Sequence, residues 1–131
     1  MDLPEYYFRT RENGAAVYRV DSGNRLRRID LDQIAVVNLR TGEIRPHGDT
    51  VLTETDLAKI GAWAEARKAT LAARERDDIL RTVDHLNQVA QWAQARATPE
   101  DLAEVSDALL LAMHDLRAVL VRKKGARAAE D

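Results

Sequence analysis

Between residues 5 and 48 apolar and polar side chains alternate in short runs, and from residue 53 onward they recur every three or four positions. The first rhythm predicts strands and the second predicts helices. YYFRTRE leads into Asn13-Gly14, a dipeptide suited to a two-residue hairpin loop whose positions need φ > 0. AAVYRVD runs into Ser22-Gly23-Asn24, a second turn signal, and RLRRIDL reads as a third strand. IAVVNL (34–39) is an apolar run rich in β-branched residues, as a strand covered on both faces would be. Arg40-Thr41-Gly42-Glu43 turns the chain, and Ile44-Arg45 starts a return strand that Pro46 ends or confines to a sheet edge. The expectation over 5–48 is an antiparallel β-meander of four or five short strands.

The helical half opens at Thr53, an N-cap with Asp56 three residues on, a variant of the capping box. A stripe of Leu57, Ile60, Ala64 and Leu71 follows, with Trp63 alongside. Residues 65–78 hold one large apolar side chain, Leu71, so 53–74 is either a connecting helix of its own or continuous with the next, 77–97. From Ile79 the rhythm sharpens through Val83, Leu86, Ala90, Ala93 and Ala97. Thr98-Pro99-Glu100-Asp101 restarts the chain: a cap, a proline at the first helical position and acids in the first turn. The last helix, 99–124, repeats the stripe at Leu102, Val105, Leu109, Ala112, Leu116 and Val119. Gly125 reads as its stop and 125–131 as a flexible tail. Two helices of similar length across a tight turn lie antiparallel. The chain is therefore expected to be a single α+β domain over 1–131: meander, connecting helix, C-terminal antiparallel helical hairpin.

The last helix carries more apolar surface than one partner helix covers. Leu110, Leu111, Met113, Leu120 and Val121 lie around the helix from the main stripe. They form a candidate partner-binding surface, covered by helix 1, the sheet or a second chain.

Composition narrows the field. With no cysteine the chain holds no disulfide, thiolate metal site or cysteine nucleophile. Its beginning has acids and no apolar core of a signal peptide, and no run approaches the roughly 20 apolar residues that span a bilayer. A cytoplasmic chain without membrane contact is expected. The net charge is −2, and residues 1–50 balance eight arginines against eight acids, so any nucleic-acid role needs a local patch. Arg19, Arg25, Arg27 and Arg28 supply one around the second turn. They suit phosphate or guanine edges, with tyrosines to stack on bases. The simpler reading is pairing within the sheet, where Arg19 and Arg28 fall opposite one another beside Asp21 and Asp30.

Catalytic chemistry is not legible. GxSxG, Walker, GxGxxG and HExxH patterns are absent, and Asp77-Asp78 and Glu100-Asp101 are adjacent acids that point apart on a helix. His85 and His114, flanked by Asp84 and Asp115, fall at similar levels of the hairpin but off its apolar seam and without a ligand repeat. Trp63 and Trp92 read as packing anchors or, if exposed, interface residues. The expectation is a non-enzymatic interaction protein without cofactor, metal or small-molecule substrate. Its helical hairpin forms a homodimer or joins a partner protein. The alternative is nucleic-acid binding by the arginine-bearing sheet, with the helices as dimerisation arm.

Overall fold

A computed structural model describes residues 3–23 and 28–130, the last two of these by backbone only. Four antiparallel strands form one sheet in the order β1 (Tyr6–Arg11), β2 (Gly14–Asp21), β3 (Asp30–Asn38) and β4 (Ile44–Pro46). Two helices follow, α1 (Glu54–Ala95) and α2 (Pro99–Glu130). The chain divides into two compact units, Met1–Asp77 and Asp78–Asp131.

The α+β class and the strand-then-helix order match the sequence expectation, and several boundaries differ. The first hairpin loop is Glu12 and Asn13, because Arg11 pairs with Gly14 rather than preceding a loop that contains it. Gly14 is inside β2 for a steric reason. A Cβ there would lie 1.9 Å from the Val37 carbonyl oxygen of β3. The expected third and fourth strands merge into one β3, whose polar Asp32-Gln33 is part of the ladder. Their junction is a bulge: Val17 pairs with Ala35 and Tyr18 with Gln33, leaving Ile34 as the extra residue. The bulge brings both Ile34 and Ala35 into the core. Ser22 and Gly23 lie beyond β2, while Asn24, Arg25 and Arg27 fall outside the described residues. The β3–β4 turn is as expected. The Asn38 side chain accepts from the Arg40 and Thr41 amides, and Gly42 takes φ +77°.

In the first unit the opening turns of α1 cover one face of the sheet. Val17, Ile34, Val37 and Ile60 are fully buried there with Ala15, Ala35 and Ala64. Each large aliphatic side chain removed from water contributes about 1.5–3 kcal/mol. Trp63 stacks on Phe8 with ring centroids 4.5 Å apart and planes within 1°. Leu57 and Leu71, expected on the buried stripe, are exposed. The buried stripe instead runs Asp56, Ile60, Ala64.

Residues 65–78 are helical throughout, so α1 is one 42-residue helix and the alternative of a joint falls away. This stretch is dominated by Ala, Arg, Glu and Lys, strong helix formers that hold a helix without burial. At its far end α2 continues past Gly125 to Glu130. The flanking Ala and Arg residues offset the roughly 1 kcal/mol that one glycine costs a helix. In the second unit the half-buried side chains are those on either side of the turn. Leu86, Val89 and Ala93 of α1 and Leu102, Val105 and Leu109 of α2 are half-buried, whereas Ala90, assigned to the seam, is exposed.

Candidate functional site

Three places on the molecule concentrate chemistry: a buried carboxylate, an open sheet face and the helical arm.

The carboxylate is Asp56, only 2% exposed. It is the reciprocal partner of the α1 cap. The Thr53 amide donates to Asp56 Oδ2 and the Asp56 amide donates to Thr53 Oγ1, both at 3.0 Å. Two strands reach the same carboxylate. The Tyr6 hydroxyl donates to Oδ1 at 2.5 Å, and Arg19 Nη2 donates to Oδ1 and Oδ2 at 2.8 and 2.9 Å. The Tyr6 hydrogen bond, with those from Thr53 and Arg19, outweighs burial and holds the Asp56 carboxyl at about 2, below the usual 3.8. The same hydrogen bond, with burial, pushes the Tyr6 phenol up to about 12. Arg19 is raised further by its bond to Asp56. A carboxylate fixed as an anion and filled with donors is a structural tie between β1, β2 and α1, and it lacks the intermediate pKa a general base needs.

This tie is the internal partner of Arg19. Arg19 stands opposite Tyr6 on one side and Asp32 on the other, not opposite Arg28. Arg28 lies exposed just ahead of β3. The site therefore brings Arg19 together with Tyr6 and Asp56, two residues that sequence reasoning had not singled out for it. The available signal was periodicity: Asp56 precedes Ile60 and Ala64 by four and eight positions, which puts it on the buried stripe.

The face of the sheet away from α1 carries Tyr7, Arg9 and Tyr18. Arg9 lies over the Tyr18 ring at 4.6 Å and donates through Nη1 to the Tyr18 hydroxyl at 2.9 Å. Beside them Leu3, Pro4, Val20, Ile29 and Leu31 line a shallow pocket of about 250 Å³. Among the described residues its walls are apolar apart from Arg9 and the tyrosine hydroxyl, and none of them supplies an acid–base pair.

The third place is the helical part beyond Asp77. Away from the turn the expected hairpin stripe is uncovered, with Ile79 and Val83 on α1 and Leu116 and Val119 on α2 all exposed, and so is Met113 of the surplus set. The surplus residues are exposed as well: Leu110 is 64%, Leu111 67%, Leu120 59% and Val121 56% accessible. His85 and His114 are both exposed, and His114 meets only its neighbour Asp115, at 3.2 Å. Among the described residues no three side chains of His, Asp or Glu gather where they would hold a metal ion. Trp63 is a packing residue on Phe8, and Trp92 is half-buried beside His85, Val89 and Arg96. Among the described residues no helix is long and apolar enough to cross a membrane.

Compared with protein-family models, with curated proteins and with solved structures, the chain matches none.

Proposed function

We propose that this chain is a non-enzymatic assembly protein, cytoplasmic in setting, that acts through its helical arm. One observation carries the reading. Over residues 109–121 α2 is apolar on nearly every side, and apart from Leu109 each of its large apolar side chains there is exposed. A helix with that pattern is buried in its working state. Isolated exposed leucines are ordinary on a protein surface, but seven within twelve consecutive residues (110–121) make a continuous patch.

The test is a variant with Leu110, Leu111, Leu120 and Val121 all changed to Gln, which removes the apolar surface and keeps good helix formers. The tagged chain and the variant are compared by native size in extracts of the cells that make them. The reading expects the wild type to run well above 14.7 kDa and the variant to fall toward that monomer mass. A wild type that runs as a monomer, or a variant of unchanged large size, overturns it.

A further inference from the structure

The charges of α2 say what covers it. From Pro99 to Met113 it carries Glu100, Asp101, Glu104 and Asp107 and no lysine or arginine. From Leu116 to Ala128 it carries Arg117, Arg122, Lys123, Lys124 and Arg127 and no acid. Within the same compact unit α1 carries Asp78, Arg81 and Asp84. Among the described residues Glu104, Asp107, Arg117, Lys123 and Lys124 make no ion pair within 4.0 Å. One helix therefore presents an acidic half, an apolar middle and a basic half.

We infer that the occupant of this surface is a second copy of the same chain, docked α2 against α2 and antiparallel, about a two-fold axis near Asp115. The inference rests on the assembly reading and names its partner. A two-fold axis there puts Leu110 opposite Leu120, Met113 opposite Arg117, and Asp107 at the level of the partner's Lys123. The exposed residues Leu110, Met113, Arg117, Leu120 and Lys124 follow one another at spacings of three and four, the rhythm of a packed helix seam. That seam is turned about 60° from the half-buried Leu102–Val105–Leu109 stripe, so the two surfaces of α2 are distinct. A parallel pairing would set four acids on four acids and the basic half on its own copy. The antiparallel one aligns opposite charges and opposes the helix dipoles. Each contact occurs twice by symmetry, which closes the assembly at two copies.

Two charge-reversed chains test the pairing: Glu104→Lys with Asp107→Lys, and Lys123→Glu with Lys124→Glu. Each alone is expected to dimerise roughly tenfold more weakly at low salt, because symmetry reverses several contacts at once. Mixed together they are expected to recover a dimer containing one of each, which also shows that both are folded. Orientation is read in a chain that has no cysteine of its own. In the antiparallel dimer two Arg117→Cys sites are offset by roughly 6 Å along the helices, and two Lys124→Cys sites by roughly 27 Å. A short bismaleimide is expected to link the first and not the second. Linkage at Lys124→Cys overturns the antiparallel arrangement. So do reversed chains that dimerise as the wild type does, or that fail to recover on mixing. A wild type that forms larger species insensitive to these charges would leave the assembly reading standing and this pairing refuted. A chain that stays monomeric in purified form but is large in extracts would refute self-pairing in favour of another partner.

Discussion

Asp56 shows most clearly how one residue does several structural jobs. Its carboxylate closes the α1 cap, accepts Tyr6 and receives both contacts of Arg19. The carboxyl titrates at about 2 when folded and at 3.8 when free. Its stabilising contribution is therefore complete above the free value and lost as pH falls through about 2, and it is on the order of 2 kcal/mol. The raised Tyr6 phenol describes the same hydrogen bond from the other side. Its contribution is present below pH 10 and lost as pH rises through about 12. Urea unfolding should find Asp56→Asn about 2–3 kcal/mol less stable at pH 7, with the deficit shrinking at pH 2. An equal deficit at both pH values would show that the anion is not what matters. Ultraviolet titration should find one of the three tyrosines ionising near pH 12, a step that Tyr6→Phe removes. The cap itself was legible from Thr53 and Asp56. The ion pair was not, because Arg19 and Asp56 are 37 residues apart and nearer acids compete for the arginine in any reading by neighbours.

At the scale of elements, the two helix starts written into consecutive residues were read correctly, whereas Gly125 was misread as a stop and the chemistry set by a neighbouring strand was missed. Thr98, Pro99 and Asp101 start α2 as their types require, with reciprocal bonds of 3.1 Å. Thr98→Ala should therefore lower helix stability by about 1 kcal/mol, measured as lost ellipticity at a fixed urea concentration. Gly14 misled because its dipeptide with Asn13 is a turn signal, whereas the structure needs glycine for the approach of the Val37 carbonyl. Gly14→Ala should cost about 3 kcal/mol or more by separating β2 from β3. Gly61→Ala, on α1 with nothing within 4 Å of the new methyl, should be neutral or stabilising by up to about 1 kcal/mol. Equal effects at the two glycines would contradict the close-approach account. The Ile34 bulge was equally hidden: one inserted residue joins two expected strands into one, and nothing local marks it.

For the whole molecule, the sequence divides labour between its two halves. The N-terminal half spends its apolar residues on a small core under α1. The C-terminal half leaves many of its large apolar residues exposed and segregates its charges along α2. The surplus of apolar side chains on the last helix was visible from periodicity alone, since one partner helix covers one stripe. The extent of exposure was not visible, because it depends on packing in three dimensions and not on the spacing of apolar residues. Salt separates the two forces invoked for association: screening weakens the charge alignment while the apolar contact persists.

The claim that α2 joins two copies is tested most directly by sedimentation equilibrium of the purified chain over a wide concentration range at low salt. The account predicts a mass that rises from 14.7 kDa toward twice that value and stops there. A mass that stays at 14.7 kDa up to the highest concentration would contradict it.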